Sequence, residues 1–106
     1  MAKKYLDRLQ FDIVSVPKNR FELNVDGQVA FIDFIRAKEN KIFLTHTEVP
    51  KSLEGKGVGS TIVSKVLGYI RENNLKLVPL CPFVAAYIKR HPEKVDGLLA
   101  KGYSVS

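Results

Sequence analysis

The stretch LEGKGVGSTIVSKVL, residues 53–67, places glycine at positions 55, 57 and 59 and then changes abruptly to helical spacing. Glycine has no Cβ, so a bulky group can come close to such a backbone. A helix start offers N–H groups without intrahelical partners and about half a positive charge, which together attract anions. A flexible loop running into a helix is the plain alternative. Three glycines with a strand before them and a helix after them favour a phosphate cradle.

Downstream of the glycines, Val58, Ile62, Val66 and Ile70 recur every four residues, with Val63 and Leu67 beside them. The spacing predicts a helix over 58–73 with one apolar stripe, and Asn73-Asn74 stops it. LKLVPL, 75–80, reads as a buried strand. Cys81-Pro82 opens a second helix, since proline suits the first helical turn, and Pro92 forces its end near Arg90. On that helix Phe83 shares a face with Tyr87, and Val84 with Ile88.

Upstream, FELNV (21–25) alternates apolar and polar residues, and Asp26-Gly27 is a strong hairpin turn before QVAFIDFI (28–35). Glu39-Asn40-Lys41 makes a second turn, and KIFLTHTEV (41–49) a third strand that Pro50 ends. The first ten residues are polar and are expected to be mobile. The predicted order is three antiparallel strands, loop, helix, strand, helix.

A chain of 106 residues fits one domain, spanning 1–106. With 45% hydrophobic and 26% charged residues it is expected to fold around a core. No apolar run reaches membrane-spanning length, the N-terminus lacks a leader's apolar stretch, and the single cysteine excludes an internal disulfide. These features point to a cytoplasmic protein without membrane attachment. The net charge of +6 favours an anionic partner, but the basic residues are scattered, so no polybasic tail is expected.

Two nucleotide motifs are excluded. No GxxxxGK[ST] occurs, and the residue three after Gly57 is Ser60 rather than the glycine of GxGxxG. ATP and NAD are therefore poor candidates. VPKSLEGKGVGS instead resembles the cofactor loop of the GNAT acetyltransferase superfamily, Arg/Gln-x-x-Gly-x-Gly/Ala at a strand–helix junction. Gly57 and Gly59 match its glycines, and Glu54 stands where Arg or Gln is expected. CPFVAAYIKRH resembles the family's strand-end, helix and tyrosine segment, with Cys81 in a place often held by Asn and Tyr87 in that of the tyrosine facing the CoA sulfur.

The resemblance covers about residues 21–92 and implies an α/β (α+β) GNAT-like fold, a mixed sheet flanked by helices, in an abbreviated single-domain form. It implies acetyl-CoA as co-substrate, no metal, and transfer of the acetyl group to an amine. The pyrophosphate would lie on Gly55, Gly57, Val58, Gly59 and Ser60, with Val49, Glu54 and Lys56 beside it. The thioester would lie where the strand before the loop and the next strand splay apart. The long substrate-binding insertions of full-length members are missing.

Acetyl transfer needs a neutral amine, a stabilised oxyanion and a proton for the leaving thiolate. His46 and Glu48 alternate with Ile42 and Leu44, so all four are expected on one strand face. His46 reads as a general base or as a surface histidine, since imidazole changes protonation near neutrality. Glu48 reads as its orienting partner or as an exposed residue. Cys81 reads as a buried small hydrophobe, as a thiol lining the cleft, or as a nucleophile favoured by the following helix start. Tyr87 reads as the proton donor to the leaving thiolate or as core packing with Phe83, and His91 as structural. A CoA-binding module without turnover remains open. A basic nucleic-acid-binding domain is disfavoured because aromatic and basic residues are not interleaved on any strand.

Overall fold

The computed structural model describes residues 9–103. Five strands lie in the order β1-β2-β3-β4-β5: β1 Leu9–Val14, β2 Arg20–Val25, β3 Gln28–Ala37, β4 Lys41–Glu48 and β5 Lys76–Pro79. The first four pair antiparallel and β5 joins β4 in parallel, so the sheet is mixed, as expected. Helix α1 spans Val58–Glu72 and α2 spans Pro82–Arg90. A 3-10 turn at Lys51–Leu53 leads into the glycine loop, and a second lies at Pro92–Val95.

The hairpin forms where Asp26 and Gly27 both take positive φ, 52° and 88°, the backbone that a two-residue turn between twisted strands requires. All six stripe residues of α1 are buried. Each such apolar side chain contributes about 1.5–3 kcal/mol on leaving water. Asn73 caps the helix, Asn74 follows at φ 55°, and the Leu75 N–H reaches back to the Ile70 carbonyl at 3.0 Å. Asparagine tolerates this left-handed exit, so the pair stops the helix as anticipated.

Both helices pack on one face of the sheet, against Phe21, Leu23, Ile32, Ile42, Leu44 and Leu77. The C-terminal segment runs beside β5, where the Leu77 N–H donates to Leu98 O and the Ala100 N–H to Leu77 O. Among the described residues no helix is long and apolar enough to cross a membrane.

Three expectations are corrected. Strand β1 was not foreseen; Leu9 and Gln10, read as part of a mobile start, open it, while residues 1–8 lie outside the described residues. Phe83 and Tyr87 differ in burial, Tyr87 being buried and Phe83 41% exposed. The third correction concerns β4. Asp33 pairs with His46 and Phe34 with Leu44, which leaves Thr45 as an extra residue, a β-bulge. One added residue reverses the side-chain alternation beyond it. Ile42 and Leu44 therefore face the helices and so does Thr47, opposite Ile32, whereas His46 and Glu48 turn to the other face.

Candidate functional site

Strands β4 and β5 are paired only from Lys41–Leu44 against Lys76–Pro79. There the Leu80 and Cys81 N–H groups both donate to the Leu44 carbonyl, at 3.1 and 2.8 Å. Strand β4 then continues through Glu48 paired with β3 but no longer with β5, while the chain after β5 turns into α2. A wedge opens between them. Thr47 Oγ1 and Cys81 Sγ, 3.1 Å apart, join its two sides on the helix face.

The wedge leads into a cleft of about 560 Å³ between the end of β4 and the start of α1. Its lining includes Thr47, Glu48 and Val49 from the strand end, Leu53 to Gly55 and Gly57 to Ser60 from the loop and helix start, and Phe83 from α2. Gly55 and Gly57 both sit at φ 78°, a backbone that side chains disfavour, and a Cβ on either would meet nothing within 4 Å. Gly57 is the N-cap of α1 and, among the described residues, no side chain caps the helix. Among the described residues the N–H groups of Val58, Gly59 and Ser60 have no acceptor, because the intrahelical ladder begins with the Thr61 N–H on Gly57 O. They are free to hold an anion.

Gly59 differs from its neighbours. A Cβ there would lie 2.5 Å from Phe83 Cζ, so its bareness makes room for an aromatic ring. Lys56 is exposed and outside the cleft lining. Among the described residues, the charged side chains lining the cleft are two carboxylates, Glu48 and Glu54.

The three candidate catalytic residues fall in three different places. Cys81 is 2% exposed, at the N-cap of α2 and at the apex of the wedge. His46 lies across the sheet, its Nε2 3.1 Å from Glu48 Oε2 and its ring 6.1 Å from that of Phe31. Glu48 belongs to both sites, since it touches the imidazole and lines the cleft. Tyr87 is buried, its ring lies 4.7 Å from that of His91 at a 45° tilt, and it lines a neighbouring hollow with Ser60, Ser64 and Lys65. His91, read as structural, makes that contact and lies 3.9 Å from Glu93.

The cluster around His46 was missed from sequence. Asp33, a buried charged residue, accepts from Arg20 Nε at 3.0 Å, and the Arg20 guanidinium lies 3.8 Å over the Phe31 ring. Thr45 Oγ1 donates to the Asp33 carbonyl and so ties down the bulge. A lone aspartate inside the apolar run AFIDFI was the available signal, since a strand buries such a group only with a partner. No group of three or more metal-ligating side chains occurs among the described residues.

Protein NATD1 of Xenopus tropicalis is 27% identical over 67 residues, covering 63% of this chain and 60% of that protein. Protein NATD1 of Gallus gallus and of Homo sapiens are each 33% identical over 49 residues, 46% of this chain and 44% and 43% of theirs. The matched region thus spans about half the length of these relatives. A family described as GCN5-related N-acetyl-transferase matches residues 20–97, from the first residue of β2 to the glycine before the C-terminal segment. By that match the chain belongs to the GCN5-related N-acetyl-transferase family.

Proposed function

We propose that this chain binds acetyl-CoA in the cleft at the start of α1 and transfers the acetyl group to an amine. One observation carries the reading: the free N–H groups of Val58, Gly59 and Ser60, the bare Gly55 and Gly57, and the end of β4 beyond its pairing with β5 meet in one cleft of about 560 Å³. The backbone donors suit a pyrophosphate, and the open strand edge beside them suits a narrow extended chain. Acetyl-CoA would supply the activated thioester.

The chain's own residues supply positioning and proton handling. With Nε2–H donated to Glu48 Oε2, His46 keeps Nδ1 free to take the proton from the acceptor amine. The neutral amine nitrogen then bonds to the carbonyl carbon as the C–S bond breaks, and the N–H proton that the nitrogen gives up on becoming an amide passes to the leaving sulfur. Cys81 and Thr47 bracket the wedge apex, their side chains in contact at 3.1 Å. Direct transfer fits the burial of Cys81 better than a covalent relay through its thiol. Tyr87 lines the neighbouring hollow and keeps a packing role in this reading.

Calorimetric titration with CoA tests the site. Wild type should bind, and Gly57→Val, checked for folding by circular dichroism, should bind at least about tenfold more weakly, because a side chain at φ 78° distorts the loop. Equal affinity in a folded Gly57→Val variant would sink the assignment. In an acetylation assay on a panel of amines, His46→Ala should lower turnover with little change in CoA affinity. Tight CoA binding without turnover on any amine would leave a binding module, and preference for duplex DNA over CoA would replace both readings.

A further inference from the structure

Among the described residues, the cleft offers an anion its backbone donors but no cationic side chain. Glu54 lines it three residues before the N-cap Gly57, and Glu48 lines it from the strand end. Glu54 is exposed, and its backbone N–H is held on the Lys51 carbonyl at 3.2 Å, which fixes where the side chain leaves the loop. Among the described residues no lysine or arginine pairs with it, and Lys56 lies outside the lining. The chain has 17 lysines and arginines, so the missing cation is a local arrangement and not a shortage.

We propose that Glu54 is an affinity-limiting residue, whose carboxylate opposes the diphosphate of bound CoA and hastens the departure of spent CoA. The proposal rests on the reading of the cleft given above. Two like charges near one another at an exposed site repel by an amount that changes affinity about threefold to tenfold, and salt screens the effect. The helix start still binds the diphosphate, but less tightly than the same backbone would with a neutral residue at 54.

Three ligands of falling charge provide the test: CoA, 4′-phosphopantetheine and neutral pantetheine. Each is titrated into wild type, Glu54→Gln, Glu54→Asp and Gly57→Val. Glu54→Gln should bind CoA about threefold to tenfold more tightly at low ionic strength, with the gain fading at about 0.5 M salt. Pantetheine affinity should stay the same, and Glu54→Asp should behave as wild type. Unchanged or weaker CoA binding by Glu54→Gln, alongside weakened binding by Gly57→Val, would overturn this proposal and leave the cleft assignment standing. A gain of equal size for pantetheine would also overturn it, because the effect would then not be one of charge. Wild type and Gly57→Val binding CoA alike, or neither binding it, would remove the cleft assignment and the proposal together.

Discussion

At the scale of single residues, three glycines that look equivalent in sequence have different jobs. Gly55 and Gly57 are required by their positive φ, while Gly59 lies inside a helix and is held small by Phe83. In an otherwise free helix, Gly→Ala gains up to about 1 kcal/mol. Here the new methyl meets an aromatic ring, and overpacking costs about 1–3 kcal/mol unless the ring moves. Gly59→Ala should therefore be neutral to destabilising in wild type and stabilising in a Phe83→Ala background. A double-mutant cycle by urea denaturation should show coupling of about 1 kcal/mol or more. Strict additivity would mean that Phe83 is not the constraint. The glycine pattern was legible because it repeats; the partner of Gly59 was not, since Phe83 is 24 residues away and nothing local announces the contact.

At the scale of elements, the two helices, the hairpin and the parallel strand could be read from spacing and turn residues, because each depends on its own local pattern. Strand β1 was harder. Its apolar residues Leu9, Phe11 and Ile13 alternate with Gln10 and Asp12, but it is an edge strand whose side chains are at most half-buried, and its polar flank masked the alternation. The bulge at Thr45 could not be read at all, since an extra residue is defined only against the partner strand. Its effect is open to a substitution scan of β4. Stability should be sensitive at Ile42 and Leu44, then at Thr47, with His46→Ala and Glu48→Ala costing under about 0.5 kcal/mol each and Ile42→Ala about 2–5 kcal/mol. An uninterrupted even-position pattern through 48, read from thermal midpoints, would contradict the bulge.

At the scale of the whole molecule, the candidate site is assembled from three separate segments: the end of β4, the glycine loop with the start of α1, and the first turn of α2. The loop and helix start could be placed from sequence because they are contiguous. The position of His46 across the sheet could not, because it turns on the bulge. Charge is also divided at this scale, with a net +6 on the chain and carboxylates in the cleft. That division has a kinetic consequence. A distant anion meets the field of the whole molecule and is drawn in, whereas a seated one also meets the local carboxylates and is eased out. Arrival and departure are thus governed by opposite signs of charge, and stopped-flow measurements with CoA should separate them. The association rate constant should fall as salt rises, and Glu54→Gln should slow dissociation while changing association less than twofold. An association rate indifferent to salt would mean that the scattered lysines and arginines do not act together as a field. The pairing of the two effects favours rapid exchange over long residence, a ligand that visits often and stays briefly.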